Sequence, residues 1–213
     1  MSAANMNVVF IAGTNGVGKS ATSHLACLGA VLRNQPAAYV LTDPNRKIRG
    51  EGRPYSVLDG REPHESASII GASHLTLNGW LIIDGGGNRP AFDAAIAGEA
   101  NLCILPFRAS EEDLDTVAEY MRRMPNAVAW PTAWPTNSFA ERAAAYYVDA
   151  LAKAFPLRVI TTPIPFVNSV WELLAALGSP SSPVRQLAKR VFDVMSHTFD
   201  ERQIKPVAQA KAR

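Results

Sequence analysis

The sequence predicts a single α/β domain with a mostly parallel, twisted sheet flanked by helices on both faces. Three observations lead there. Short apolar runs at 8–11, 38–42, 80–84, 102–105, 127–130 and 157–160 alternate with stretches of helical spacing, and strands joined through helices lie parallel. The chain has 213 residues, 47% of them apolar, with no internal repeat, which suits one core. The first apolar run passes straight into a glycine-rich turn, and Leu25, Leu28 and Leu32 follow at helical spacing. The domain is expected to span 1–202, with a basic, flexible tail over 203–213.

The turn after the first strand carries the strongest motif. Gly13, Gly18, Lys19 and Ser20 fill the pattern G-x-x-x-x-G-K-[ST] of a phosphate-binding loop. Its glycines let successive backbone N–H groups turn inward around an anion. Lys19 then meets the outer phosphates, Ser20 offers a hydroxyl to Mg²⁺, and the following helix points its positive end at the same charge. The candidate nucleotide ligands here are Gly13, Thr14, Asn15, Gly16, Val17, Gly18, Lys19, Ser20 and Ala21.

The second strand, 38–42, ends in Asp43-Pro44-Asn45, a turn that places a carboxylate at the strand's carboxyl end, where open α/β sheets gather ligands. Residues 46–79 are rich in Gly, Pro and charge, so loops are expected apart from a short helix near 65–71. The third strand ends in Asp84, which has the form of a group that holds Mg²⁺ across from Ser20. Gly85, Gly86 and Gly87 follow at once and imply a close backbone approach or a conformational switch.

The fourth strand, 102–105, is expected to stop at Pro106. Ser110 then caps a helix whose acidic first turn, Glu111, Glu112 and Asp113, compensates the helix dipole, and Leu114, Val117, Ala118 and Met121 form its apolar face. A fifth strand at 127–130, a helix at 139–154 and a last strand at 157–160 come next. The proline-bearing loops at 131–135 and 161–165 are suited to flank a planar base, and equally to terminate strands. Helices at 170–177 and 184–199 complete the reading.

No apolar run approaches the roughly 20 residues that span a bilayer, and residues 1–5 lack the basic and apolar parts of a signal peptide. A cytoplasmic protein is expected. The net charge of +2 is uneven: from Pro183 onward seven basic residues face three acidic ones. Such an end suits a polyanion or a solvated helix face. Cys27 and Cys103 read as buried thiols, and the four histidines, His24, His64, His74 and His197, show no metal-ligand spacing.

With these motifs placed, the sequence resembles the ParA/MinD family of P-loop ATPases, closest to the small ParA-type plasmid-partition ATPases. The resemblance covers nearly the whole chain and rests on ordered pieces. These are Gly13 to Ser20, Asp43-Pro44-Asn45, the Ile82-Ile83-Asp84-Gly85-Gly86-Gly87 run, residues 102–114, and the loop Thr162-Pro163-Ile164-Pro165-Phe166-Val167-Asn168. It implies a single-domain P-loop NTPase fold with ATP and Mg²⁺ as cofactors. Asp43 would orient the attacking water, with Asn45 where the family has glutamine. Lys19 would serve catalysis, Ser20 and Asp84 the metal, Gly86 and its neighbours the γ-phosphate, and Pro163, Ile164, Pro165 and Phe166 the base.

One departure matters: Thr14 stands where the family keeps a lysine that reaches the partner's phosphates. A hydroxyl cannot neutralise phosphate charge. Arg46, Lys47, Arg49 and Arg89 are candidates to replace it, Arg89 first because it lies beside the glycine run. The resemblance further implies an ATP-state homodimer, non-specific DNA binding, an activating partner protein and a nucleoid-associated role in distributing DNA or a large cargo. The basic helix residues Arg185, Lys189, Arg190 and Arg202 are the candidate DNA surface. No membrane partner is expected, since a proline interrupts the weakly apolar end. Two other classes fit the loop: a small-molecule or nucleotide kinase, and a weakly hydrolysing nucleotide-binding adaptor.

Overall fold

The computed structural model describes residues 6–73, 78–87, 89–176 and 178–204. Six strands, β1 (Asn7–Ile11), β2 (Ala37–Leu41), β3 (Ser56–Asp59), β4 (Trp80–Asp84), β5 (Leu102–Arg108) and β6 (Ala127–Thr132), form one sheet in the order β3-β2-β4-β1-β5-β6. Every strand pair is parallel. Among the described residues four helices lie between strands, α1 (Lys19–Leu32), α2 (Pro63–Ser73), α3 (Pro90–Glu99) and α4 (Glu111–Arg123), and three follow β6, α5 (Ser138–Ala154), α6 (Val170–Ala175) and α7 (Ser182–Ile204).

Both faces of the sheet are covered, which is why its central strands are apolar on both faces from Val8 to Ile11 and from Trp80 to Ile83. In β1, Val9 and Ile11 pack with α1, α6 and α7 on one face, while Val8 and Phe10 pack with α2, α3, α4 and α5 on the other. The chain leaves β1 toward β2 over the first face and leaves β4 toward β5 over the second. That reversal opens a crevice at the carboxyl ends of β1 and β4, the place where such sheets bind ligands.

Helix α7 closes the first face by lying on α1, and Gly29 permits the crossing. A β-carbon there would sit 2.1 Å from the Ala188 carbonyl oxygen. Trp80 meets Phe192 and Phe199 edge-on at 5.2 Å, which seats the same helix on β4.

The strand set differs from expectation at both sheet edges. Residues 56–59, expected in a loop, pair with β2 as an edge strand. Residues 157–160, expected as the last strand, make only an isolated bridge, Val159 to Ala129. Leu157 there has φ 63°, a left-handed turn that prevents an extended run. Strand β5 does not stop at Pro106 but continues to Arg108. Two residues earlier, the Ile104 carbonyl accepts from Ala12, so Pro106 faces the side where β1 has ended and no N–H is needed.

Helix α3 was not anticipated; it opens on Pro90, a residue preorganised for a first helical position. Helix α6 ends at Ala175, short of 177. Helix α7 runs through Gln203 and Ile204, past the boundary expected at 202. The rest of the expected tail, 205–213, lies outside the described residues, as do Asn88 and His74. Cys27 and Cys103 are buried free thiols. Among the described residues no helix is long and apolar enough to cross a membrane.

Candidate functional site

The loop between β1 and α1 turns on Gly13, Gly16 and Gly18, whose φ angles of 122°, 84° and 94° are open to glycine but strained for other residues. Gly18 leads directly into α1, which has neither a side-chain cap nor an acidic residue in its first turn. Helices α4 and α5 differ. Ser110 caps α4 by accepting from the Asp113 N–H, ahead of the expected acidic turn, and Asn137 caps α5 by accepting from Ala140. The first N–H groups of α1 are thus left for an external anion.

Lys19 is buried and folds back over the loop, where Nζ donates to the Thr14 carbonyl at 2.6 Å. Burial lowers its pKa, opposed by the negative charges of Asp84, Asp93 and Asp43. The glycine run from β4 closes on the same place. A β-carbon at Gly87, φ 66°, would lie 2.6 Å from Asn15 Oδ1 and 3.4 Å from Lys19 Nζ. One at Gly86 would lie 3.0 Å from the Asp43 Cα. The close approach implied by three consecutive glycines is therefore real: this loop bridges the phosphate loop and the end of β2.

Asp84 sits beneath them, 1% exposed. Tyr39 donates its hydroxyl to Oδ2 at 2.7 Å, while Oδ1 is buried and makes no hydrogen bond among the described residues. Burial pushes this carboxyl above its usual range; Ser20, Tyr39, Arg46 and Lys19 act against that shift. An orphaned carboxylate oxygen costs free energy unless a cation or its water partners it. The donor set, a buried carboxylate beside the Ser20 hydroxyl, fits Mg²⁺.

Asp43 lies at the crevice rim, accepting from the Asn45 N–H at 2.9 Å, and its Oδ2 is 3.4 Å from Arg46 Nε. Arg46 also donates to the Ser20 hydroxyl. Arg89, the cation favoured on sequence position, is turned elsewhere. It donates to the carbonyls of Thr42 at 3.1 Å and Arg61 at 2.8 Å, and its guanidinium lies 4.0 Å over the Phe92 ring. Arg89 therefore ties the glycine run to β2, while Arg46 is the arginine at the loop.

A cavity of about 260 Å³ joins Gly16, Gly18 and Ala21 to Ile164, Pro165 and Phe166. Pro163 is outside it and lines a neighbouring cleft with Arg190. The loop 162–168 is held against β6 because Ile164 donates to the Pro131 carbonyl and Trp134 to the Ile164 carbonyl. Of the basic residues on α7, Arg185 and Arg190 are exposed and Lys189 half-buried. Arg202 lies more than three turns further along, where it donates to the Leu157 carbonyl, so it does not share their patch.

Two groups escaped the sequence reading. Asp93, on α3, is 2% exposed, and burial raises its pKa to about 6 against the pull of Lys19 and Arg89. His24, on α1, is buried and stacks on Tyr39 with ring centroids 4.0 Å apart. Neither carries a motif; Asp93 is one acid in an unrecognised helix, and His24 reads as a packing residue until Tyr39 and Tyr55 are placed around it.

No protein-family model matches this chain, and no curated protein matches it in sequence. Its backbone matches solved structures over nearly its full length. An ATP complex of McdA from Cyanothece has a TM-score of 0.60 at 15% identity, covering 91% of this chain and 97% of that one. A plasmid partition protein from Borrelia burgdorferi B31, described as putative and bound to AMPPNP, scores 0.61 at 11% identity, covering 90% and 99%. The MinD cell division protein of Aquifex aeolicus scores 0.61 at 15% identity, covering 88% and 97%. Identities this low speak to architecture alone. The chain is a single α/β P-loop domain with the fold of McdA, the Borrelia partition protein and MinD.

Proposed function

We propose that this protein is a ParA-like ATPase, an ATP-dependent dimerisation switch that positions DNA or a large cargo. The observation that carries the reading is the buried, unpartnered Oδ1 of Asp84 beneath Ser20 and Lys19. A phosphate cradle alone would suit any anion; a metal-ready carboxylate under it suits a Mg²⁺-nucleotide. Held by Ser20 and Asp84, Mg²⁺ would supply positive charge to the bound phosphates.

In this reading the amides of Gly13 to Ala21 and the Lys19 ammonium grip the phosphates, and the loop 163–166 flanks the base through Ile164, Pro165 and Phe166. Asp43 orients the water, and Gly86 and Gly87 report the γ-phosphate to β2. Lys19 leaves the Thr14 carbonyl for phosphate oxygens, a stronger, charge-assisted contact. Arg46 supplies in the same subunit the cation that Thr14 does not supply across a dimer. ATP favours a homodimer whose interface covers the γ-phosphate, hydrolysis releases it, and a partner protein accelerates that step.

DNA would be held through Arg185, Lys189 and Arg190, with binding that weakens steeply as salt rises. The kinase reading needs a hinged lid over the phosphates. Residues 56–59 are instead drawn into the sheet, and Arg53 is anchored to the Leu173 and Leu174 carbonyls.

Fluorescent ATP titrated with Mg²⁺ tests the reading. Wild type should bind at micromolar concentration, and Lys19→Ala should weaken binding by more than about 100-fold. Equal binding by both would remove the loop from the account. Phosphate release without a phosphorylated acceptor separates the ATPase from the kinase.

A further inference from the structure

A second cavity, about 420 Å³, lies between β2, the β2–β3 loop and α6, and the nucleotide reading leaves it without a task. Its floor is aromatic. His24 stacks on Tyr39, and the Tyr55 hydroxyl shares a 2.9 Å hydrogen bond with His24 Nδ1. Arg53 already donates to that hydroxyl at 2.9 Å, so the tyrosine proton is free to go to the imidazole, which is then neutral. On the opposite wall Trp171 is 73% exposed, a large ring with an open face.

The mouth is cationic, with one of its four cations paired to a carboxylate. Arg46, Lys47, Arg49 and Arg53 all line it, and no carboxylate does. The Arg53 guanidinium ends on neutral oxygens only, those of Arg49, Tyr55, Leu173 and Leu174. Lys47 and Arg49 have no carboxylate within ion-pairing distance among the described residues; of the four, Arg46 alone has one, Asp43 at 3.4 Å. The resulting field shows on His24, whose pKa is held well below its usual value by burial first and then by Arg53 and Arg46.

We propose that this cavity is a binding site for a small organic anion that carries a planar ring, of the aryl or heteroaryl phosphate class. Lys47 and Arg49 take the anion at the mouth, and the ring enters between Trp171 and the His24–Tyr39 stack. The size suits a ligand of this kind, since small-molecule pockets span some hundreds of cubic ångströms. Cation–π and stacking contacts favour a ring over a bare anion.

The site is also wired to the phosphate loop. Arg46 reaches from its mouth to Ser20, and Trp171 and Leu174 line both this cavity and the one beside the loop. An anion here competes with Ser20 and Asp43 for Arg46 and so frees Ser20. By linkage, a ligand that raises affinity for Mg²⁺-nucleotide must itself bind tighter when nucleotide is present. This coupling rests on the proposed function; the binding itself does not.

Calorimetric titration of phenyl phosphate into Lys19→Ala protein, whose loop has lost its phosphate grip, is the test. The expected result is one saturable site per chain, at least about tenfold weaker in the added Lys47→Gln/Arg49→Gln background, with inorganic phosphate about tenfold weaker than phenyl phosphate. Both changes are at exposed positions, and unchanged thermal melting confirms the fold. The same titration into wild type saturated with ADP and Mg²⁺ must show the same single site, at equal or higher affinity. Absence of saturation by about 10 mM, or undiminished binding in the double variant, would overturn the proposal; equal affinity for inorganic phosphate would overturn the ring-bearing class. A protein that takes phenyl phosphate but ignores ADP would sink the proposed function and leave this site standing.

Discussion

On the β1 and β4 side of the crevice the chain runs too close for a side chain: Gly86 presses against the backbone of Asp43, and Gly87 against the side-chain amide of Asn15. On the β2 and α6 side, long cationic side chains span the gap, and Arg53 ties the β2–β3 loop to α6. The first side is pre-formed and can only accept or reject a ligand of the right shape. The second has alternatives, because Arg53 holds only neutral oxygens and Arg46 a hydroxyl and a single carboxylate, all of which a stronger anion can outbid. Under the proposed function, the contrast assigns binding to the glycine side and the response to what is bound to the arginine side.

The largest effect is expected from Arg46→Gln, which removes the cation at Ser20 and Asp43. Turnover should fall by about 100-fold while ATP affinity stays within about threefold, measured by phosphate release and nucleotide titration. If Arg89→Gln does this instead, the assignment on sequence position was better than the geometry. Gly87→Ala attacks the other side. Its left-handed φ and the 2.6 Å approach to Asn15 predict about 1–3 kcal/mol of strain and at least about tenfold weaker nucleotide binding. Equal damage to kcat and affinity from both variants would erase the division between the two sides.

The smallest effect comes from Asp93, beneath the glycine side. Its pKa of about 6 lies above the ordinary 3.8, so the folded state holds a proton that the unfolded chain has released. The protonated carboxyl contributes stability below pH 4, and that contribution is lost as pH rises through 6. Asp93→Asn should therefore raise the melting temperature at pH 7.5 by a few degrees, about 2–4 °C for each kcal/mol, and change it little at pH 4. A uniform shift at both pH values would mean that packing rather than ionisation sets the difference.

The glycine side was legible in the sequence because its constraints are local. The loop pattern, the aspartate ending a buried run, and three glycines in a row each declare their geometry without reference to distant residues. The arginine side was not legible. Ser56 to Asp59 form a half-buried edge strand with one neighbour, so no apolar run marks it. Arg46 and Arg53 find their acceptors only after α1 and α6 are placed beside the β2–β3 loop. The run 157–160 misled for the opposite reason, being apolar enough for a strand yet turned at Leu157. Gly29 belongs to the same class, since its need is set by Ala188, far along the chain.

Size-exclusion chromatography with light scattering, in the nucleotide-free, ADP and ATP states with Mg²⁺, tests the switch most directly. The account predicts a monomer without nucleotide and with ADP, a dimer with ATP, and a longer-lived dimer for Asp43→Ala, in which water is no longer oriented. A monomer in saturating ATP for both proteins would contradict it.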